Sequence, residues 1–432
     1  MKRVLRLNLS EYCKDLGVNL MDRARKVSIG SILMVMVAIG SNVSMSVYLL
    51  PICRLYDISI TEGSLIFTIA GIGALVSSLS IGKILDAFGI KKVVATSGVM
   101  MFLFFASIAF MELPVVYAAS FLLGSASVLA GFASAQVVIT WWYAKGSAKV
   151  MGFLGVGTGF GGIFIVPAAA WLIENIGVRM AALVHGSFAG LWIILTGIFF
   201  LSEHPSHYGL EASGSDDKAQ TEAKKITGLV MRDIKVTLPF WLIFSACFLI
   251  ALAFMGYFNN ASAIYQGMGI TAIQASLCIS IYSIAKMAWG PIYGALADKK
   301  GVGIATLVCM MPSAIILVLS PLLKGFAGAA ILAVLIAPAT VVGMIGTLAF
   351  ISVFGTRESG TLVGLSHAAT SIGGIIGPPL AGFSYDSTGS YITFLVIGGI
   401  LMLCGTLLTY LSTSRKAIRA VRNKEESVNT IS

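Results

Sequence analysis

Long apolar stretches separated by short polar segments run along almost the whole chain of 432 residues. Each stretch is close to the roughly 20 residues that a helix needs to cross the hydrocarbon core of a bilayer. A segment in lipid must satisfy its own backbone hydrogen bonds, so stretches of this length predict α-helices. Twelve transmembrane helices are expected, over approximately 28–50, 62–82, 93–111, 115–142, 150–173, 180–202, 238–260, 272–297, 303–322, 327–352, 361–385 and 391–413.

The composition excludes a water-soluble protein. Hydrophobic residues make up 57% of the chain and charged residues 11%, against about 25% charged residues in soluble domains. Too little polar material is left to cover the surface of a soluble protein of this length. The fold class predicted is an all-α polytopic membrane protein, with the lipid bilayer as its surroundings.

The longest polar interruption, at 203–236, divides the twelve apolar stretches into six and six. We expect five parts in the chain, which are a cytoplasmic N-terminal tail, a six-helix bundle, a cytoplasmic linker, a second six-helix bundle and a cytoplasmic C-terminal tail. Their predicted bounds are 1–27, 28–202, 203–236, 237–413 and 414–432.

The distribution of basic residues predicts the orientation. Nearly all Lys and Arg outside the spans fall in one set of loops and tails, whereas the opposite loops carry only Arg54, Arg179 and Lys324. Short cytoplasmic loops are rich in Lys and Arg, so both termini are expected in the cytoplasm and the chain in the inner or plasma membrane. The net charge of +10 is therefore a topogenic signal, and no nucleic-acid partner is expected.

The two halves of the chain share a repeat. Three positions after span 2 recur 212 positions later, after span 8: Gly82, Asp86 and Gly89 match Gly294, Asp298 and Gly301. The same spacing relates Pro167 to Pro379. Six spans in each half make the repeats parallel, and two such bundles enclose a cavity near the bilayer midplane. This organisation is typical of a transporter.

The segment from Gly82 to Lys92 resembles the loop motif G-x-x-x-D-R/K-x-G-R/K-R/K of the major facilitator superfamily. The resemblance implies the major facilitator fold and a gate on the cytoplasmic side. The gating residues it implies are Gly82, Asp86, Gly89, Lys91, Lys92 and, in the second copy, Asp298.

Three further segments are similar to the monocarboxylate and oxalate-formate branch of that superfamily. They are the glycine-rich fifth span after Trp141-Trp142-Tyr143, the stretch His204 to Leu210, and Gly373 to Pro379. That branch commonly has an arginine before the proline of span 8, where this chain has Gly290, and oxalate-type relatives have a lysine at the position of Thr370. With a single fixed cation, a monocarboxylate is favoured over a dicarboxylate.

Few ionisable side chains lie inside the predicted spans, and none of them is a deep Asp or Glu. They are Lys286, His367 and His185, with Glu62 at the outer mouth of span 2. Lys286 stands twelve residues before Asp298, about 18 Å from the cytoplasmic end of its helix. An ammonium near the midplane costs about 2.5–3.5 kcal/mol, so it should face a wet cavity or a partner. We expect it to bind an anionic substrate; alternatively it snorkels or donates to backbone carbonyls.

Other polar side chains could complete the substrate site. Tyr282 lies one helical turn before Lys286, and His367 shares a face with Thr370. The remaining candidates are Tyr257, Asn42 and Gln136. Each could instead be an interhelical hydrogen-bonding residue, which is the interpretation favoured for His185.

The function predicted is secondary active transport of a small organic anion by alternating access, with proton symport or anion exchange. Export of a neutral or amphiphilic compound is the alternative, and a non-transporting membrane sensor is a further one. No enzyme, cofactor or metal site is expected, because no nucleophile–base or metal-ligand spacing occurs. The match of 157–162 to G-x-G-x-x-G lies inside a span, so no nucleotide is expected either.

Overall fold

The computed structural model of the protein describes residues 2–143, 147–205, 230–355, 357–414, 416–419 and 421. The regular elements within these ranges are all helices. Before the predicted linker they are α1 (Lys2–Tyr56), α2 (Ile60–Phe88), α3 (Ile90–Phe110), α4 (Leu113–Leu129), α5 (Phe132–Trp142) and α6 (Ser147–Phe199).

The helices of the second half begin inside the predicted linker with a short turn. They are α7 (Met231–Ile234), α8 (Leu238–Asn259), α9 (Ala261–Gly267), α10 (Ala272–Lys300), α11 (Val302–Val318), α12 (Gly325–Ile336), α13 (Val342–Phe354), α14 (Ser359–Thr388) and α15 (Ile392–Ser412). Most of the predicted linker, at 206–229, and most of the predicted C-terminal tail lie outside the described residues.

The repeat spacing reappears in the backbone. α2 and α10 begin, and also end, 212 positions apart, and each is followed by a glycine of positive φ: Gly89 at 75° and Gly301 at 85°. Asp57 and Gly269 also match at this spacing, with φ values of 52° and 87°. Positive φ is costly for residues other than glycine, so these shared values mark equivalent tight turns.

By length and composition, eight helical segments of the described chain could each cross a membrane. One of them is α6, which Gly177 interrupts with a φ of 77° and a ψ of 162°, so that two spanning lengths follow one another. α10 and α14 have 29 and 30 residues and are not among these eight segments. The number of twelve spans stays a prediction.

Two predicted spans are broken in the structure. The span at 115–142 ends as α4 at Leu129 and resumes as α5 at Phe132, and a 3₁₀ turn at Ala337–Val341 separates α12 from α13. Pro338 lies in that turn and cannot donate a backbone hydrogen bond. In the first break the Ser134 hydroxyl donates to the carbonyl oxygen of Leu129 at 2.7 Å. Both breaks lie in corresponding spans, which in transporters favours a nearby binding site.

The core is built from closely packed helices within each half. α6 packs against α1 and α3, and α8 packs against α14 and α15. Small residues allow the closest approaches: a Cβ atom at Gly161 would overlap the Met36 carbonyl oxygen and lie 2.9 Å from the Cα atom of Gly40. Between the halves, the main contacts join α2 to α14 and α6 to α10.

Candidate transport site

Lys286 stands halfway along α10 and is half-buried. Its Nζ atom lies 5.6 Å from the centroid of the Tyr282 ring, within the range of a cation–π interaction. Within the described part of the chain, the ammonium has neither an ion pair nor a hydrogen-bond acceptor. Donation to a neighbouring backbone carbonyl, the alternative considered from the sequence, is not seen there.

Tyr282 forms part of an aromatic wall beside this ammonium. Its side chain is buried, its ring centroid lies 5.5 Å from that of Phe258, and its hydroxyl faces Thr340 in the 3₁₀ turn between α12 and α13. The turn that breaks the predicted span therefore lies next to the Lys286 region. The hydroxyl of Tyr257 is hydrogen-bonded to the hydroxyl of Tyr265, and both rings are buried.

Asn42 and Gln136 lie on the opposite half. The amide of Asn42 donates to the hydroxyl of Ser127 at 3.0 Å, which joins α1 to α4. Gln136 is half-buried in α5, directly after the break that follows α4, and its amide makes no hydrogen bond to a described residue. Gln136 is therefore available to a ligand, whereas Asn42 already has an interhelical partner.

His367 and Thr370 lie on α14 in the second half. The His367 ring is exposed and forms no hydrogen bond with any residue that the structure describes. The Thr370 hydroxyl donates to the carbonyl oxygens of Ser366 at 3.2 Å and His367 at 2.9 Å. Of the predicted site residues, the structure thus brings Lys286 and Tyr282 into contact and leaves the other side chains without a direct bond to Lys286.

The two ends of the helices differ in how the halves meet. We call the end with Asp86 and Asp298 the proximal side and the end with Asp386 the distal side. On the distal side the Asp386 carboxylate, at the end of α14, accepts hydrogen bonds from the backbone N–H groups of Ile60 at 3.1 Å and Thr61 at 2.8 Å. A carboxylate at a helix N-terminus also interacts favourably with the helix dipole.

Further bonds join the halves below this distal contact. The Thr68 hydroxyl of α2 donates to the carbonyl oxygen of Ile375 at 2.8 Å. Between α6 and α10, the Ser280 hydroxyl lies 3.3 Å from the carbonyl oxygens of Gly162 and Ile163. Asn260, fully buried at the end of α8, accepts a hydrogen bond on its side-chain oxygen from the Ser64 hydroxyl of α2 at 3.5 Å. The distal side is closed by these contacts.

The proximal side is open in the described structure. Asp86 and Asp298 are exposed and form no ion pair with another described residue. The space next to Gly82 and Gly294 is empty, since a Cβ atom there would meet nothing within 4 Å. In this arrangement the predicted gating residues do not join the two halves.

Lys91 and Gly89 of the loop motif instead contact the end of the first half. The Glu203 carboxylate accepts hydrogen bonds from the backbone N–H groups of Ile90 at 3.0 Å and Lys91 at 3.3 Å, and so caps α3. A Cβ atom at Gly89 would lie 2.7 Å from that carboxylate. Lys92 is exposed.

The sequence interpretation missed Asp386 and Glu203 as contact residues. Their partners are 326 and 113 positions away, so no local pattern reports the contacts. The sequence does carry a local signal at the start of α2, the helix that Asp386 contacts. Ser59 and Glu62 form a capping box at the start of α2, and Thr271 and Gln274 form the equivalent one at the start of α10.

His185 is buried between helices of the first half. Its Nε2 atom lies 3.1 Å from the Ser41 hydroxyl, its Nδ1 atom 3.4 Å from the Tyr48 hydroxyl, and its ring is stacked on Phe105 at 4.4 Å. These contacts agree with the interhelical role favoured from the sequence.

Comparison with known proteins identifies the family. The family model of the Major Facilitator Superfamily matches residues 30–356. The chain is 25% identical over 371 residues to Multidrug resistance protein 2 of Bacillus subtilis, covering 84% of this chain and 89% of that protein. It is 23% identical over 385 residues to the Oxalate:formate antiporter of Oxalobacter formigenes, covering 88% and 89%. It is 24% identical over 351 residues to Monocarboxylate transporter 13 of Bos taurus, covering 78% of each.

The fold is also that of a solved transporter. A crystal structure of a bacterial homologue of the human lysosomal transporter Spinster, in an inward-facing and occupied conformation, aligns with a TM-score of 0.63 at 14% identity. The alignment covers 90% of this chain and 96% of that one. The resemblance noted in the sequence and the predicted all-α membrane fold are thereby confirmed. The chain belongs to the Major Facilitator Superfamily and is a multi-pass membrane transporter, not an enzyme.

Proposed function

We propose that this transporter carries a small organic anion, in the first place a monocarboxylate, by alternating access. The observation that carries the proposal is the Lys286 ammonium, which lies in mid-helix beside the Tyr282 ring and has no counter-ion in the described structure. A half-buried cation without a protein partner gains from an anionic ligand, because the reduced local dielectric strengthens their attraction. The similarity to an oxalate:formate antiporter and to monocarboxylate transporters supports an anionic substrate.

The transport cycle follows from the closed distal side and the open proximal side. We place the protein in the inner or plasma membrane. The basic loops favour a cytoplasmic location for the proximal side and for both termini. An anion enters from the proximal side and pairs with Lys286. The halves 28–202 and 237–413 then rock about this site, so that the proximal contacts form and the distal contacts break.

Two coupling modes are compatible with this site. In proton symport, Lys286 or His367 carries the proton, or the substrate enters as the neutral acid. In anion exchange, Lys286 stays charged and the halves rock only when an anion neutralises it. Uptake of labelled lactate into proteoliposomes separates the modes: an imposed pH gradient drives symport, whereas unlabelled internal anion drives exchange.

The test of the anion site is the replacement of Lys286 by Ala. A hydrogen bond to a charged group contributes about 1.5–3 kcal/mol, so we expect lactate or pyruvate uptake to fall by roughly tenfold to a hundredfold. Lys286→Arg should retain part of the uptake because it keeps the charge. Lys299→Ala, which removes an exposed cation from the proximal end of the same helix, serves as the matched control.

A second candidate function is export of a neutral or amphiphilic compound. It is favoured by the similarity to Multidrug resistance protein 2 and by the aromatic wall of Tyr282 and Phe258. In that case Lys286→Ala leaves the transport of a lipophilic dye unchanged, and lactate does not compete with the dye. Unaltered anion uptake by Lys286→Ala would defeat the proposal of an anion site.

A further inference from the structure

A cavity of about 440 Å³ lies at the distal end of the second half, and all the residues that line it belong to that half. Lys286 is not among these residues, so the cavity is distinct from the Lys286 region. Its polar and aromatic lining includes Ser320, Lys324, Tyr385 and Tyr391. The volume lies in the range that small-ligand sites occupy.

The repeat shows a difference between the two halves at this cavity. The position equivalent to Met268, which lines the cavity, is Tyr56 in the first half, 212 positions earlier. The Tyr56 hydroxyl donates to the carbonyl oxygens of Met111 at 3.0 Å and Ile108 at 3.4 Å. In the first half, the Tyr56 hydroxyl thus bonds the end of α3. Met268 has no hydroxyl with which to bond the equivalent residues of the second half.

The residues equivalent to Ile108 and Met111 are Ser320 and Leu323, and both line the cavity. Ser320 is 3% exposed, and its hydroxyl is a buried polar group without a hydrogen-bond partner among the described residues. An unpaired buried hydroxyl is costly, so a ligand that bonds it gains affinity. An unbonded hydroxyl therefore lies at the wall of the cavity, which favours a ligand that carries hydroxyl groups.

The charge at the rim also differs between the halves. Lys324 stands at the position that Glu112 occupies in the first half, and its exposed ammonium has no ion pair in the part of the chain that is described. No acidic side chain is among the residues that line the cavity. An anionic group is the complement of this rim.

The position of the cavity indicates that the anionic group belongs to a lipid. Leu322 and Ile392 are exposed apolar side chains at its edge, with 76% and 44% of their surface accessible. Apolar side chains at the surface of a membrane protein favour contact with lipid over contact with water. We propose that the cavity binds the headgroup of an anionic, hydroxyl-bearing glycerophospholipid such as phosphatidylglycerol. In this proposal the phosphate pairs with Lys324. The headgroup hydroxyls bond the Ser320 hydroxyl and the backbone at Ser320 and Leu323, the positions equivalent to those that the Tyr56 hydroxyl bonds in the first half.

The experiment is native mass spectrometry of the full-length purified protein with defined lipids. Phosphatidylglycerol is expected to stay bound at concentrations where phosphatidylcholine dissociates. Lys324→Ala should weaken the binding of phosphatidylglycerol by about tenfold, the change expected for loss of a charge-assisted bond. Arg54→Ala, which removes another exposed distal cation, is the matched control and should leave the affinity unchanged.

Met268→Tyr is the second variant, because it rebuilds the arrangement of the first half. Its hydroxyl should bond the turn, fill the cavity and abolish phosphatidylglycerol binding while Lys324 stays in place. Equal binding of both lipids, or wild-type binding by both variants, would overturn the proposal. Displacement of the lipid by equimolar free glycerol 1-phosphate would also overturn it, since the ligand would then be a soluble anion. If Met268→Tyr does not fold, the affinity of Lys324→Ala for phosphatidylglycerol still tests the proposal.

Discussion

Lys286 illustrates how one residue sets the chemistry of a membrane protein. Its side chain is flexible and strongly hydrated, so it keeps its charge in a helix only where water, an aromatic face or an anion replaces bulk solvent. Tyr282 supplies the aromatic face at 5.6 Å, and no fixed anion of the described chain competes for the ammonium. The anion that we propose as substrate would supply the negative charge that the described chain does not.

His185 shows the opposite case of a polar residue whose bonds are already made. Replacing it by Leu leaves the hydroxyls of Ser41 and Tyr48 without their ring partners, which we expect to cost about 1–3 kcal/mol of stability. A thermal-unfolding measurement should show a lower Tm for His185→Leu. The control His367→Leu replaces an exposed ring and should unfold within a degree or so of the wild type. An unchanged Tm for His185→Leu would contradict the structural role.

At the scale of elements, small residues set the distance between helices. The Cα atoms of Gly40 on α1 and Gly161 on α6 face each other so closely that a Cβ atom at Gly161 would overlap a carbonyl oxygen of α1. In membranes, where burial of apolar surface does not drive helix association, such close packing provides much of the attraction.

Gly161→Ala is therefore expected to force α1 and α6 apart and to lower the Tm, with a loss of about 1–3 kcal/mol. The same substitution at Gly155, earlier on α6, adds a methyl group to empty space and should be tolerated. Equal unfolding temperatures for Gly161→Ala and Gly155→Ala would show that the close contact does not matter for stability.

Two helices have their N-terminal ends capped by carboxylates from distant parts of the chain. Glu203 caps α3 within the first half, whereas Asp386 caps α2 from the other half. Only the second contact has to break when the halves separate on the distal side. Asp386 is thus a positioning residue for the distal closure.

Asp386→Ala should shift the molecule towards distal opening by roughly tenfold or more, since bonds to a charged acceptor contribute about 1.5–3 kcal/mol. The readout is maleimide labelling of Ser64→Cys, a fully buried distal position, in a background without native cysteines. Labelling should accelerate with Asp386→Ala and stay slow with Glu112→Ala, which removes an exposed distal carboxylate. Equal labelling rates in both variants would rule out the clamp.

At the scale of the whole molecule, the described structure corresponds to one end of the proposed transport cycle. The distal side is closed by bonds between α2, α14, α6 and α10, while Asp86 and Asp298 are exposed on the proximal side. The exposed Asp86 carboxylate is therefore expected to form its contacts only when the proximal side closes.

Asp86→Asn should therefore preserve the described arrangement and slow the cycle, with uptake reduced by about tenfold. Spin labels at Phe88→Cys and Thr361→Cys, on the proximal ends of α2 and α14, report the opening as a distance distribution. Asp86→Asn should enrich the longer distances and Asp386→Ala the shorter ones. Shifts in the same direction for both variants would contradict the opposed roles of the two carboxylates.

The membrane class, the internal repeat and the rarity of ionisable residues inside the spans could all be predicted from the amino-acid sequence. These properties are local or periodic: a span needs its own apolar length, and a repeat keeps its spacing of 212, as Gly89 and Gly301 do with their matching φ values. The mid-helix position of Lys286 also followed from counting residues along one helix.

Which polar groups meet follows from the tertiary structure. It pairs Tyr257 with Tyr265 and Asn42 with Ser127, and among the described residues it gives Lys286 only an aromatic ring. It also broke two predicted spans and joined Asp386 to the start of α2, across 326 positions. Such contacts depend on how helices from distant parts of the chain are oriented against each other, and the pattern along a single helix carries no record of that orientation.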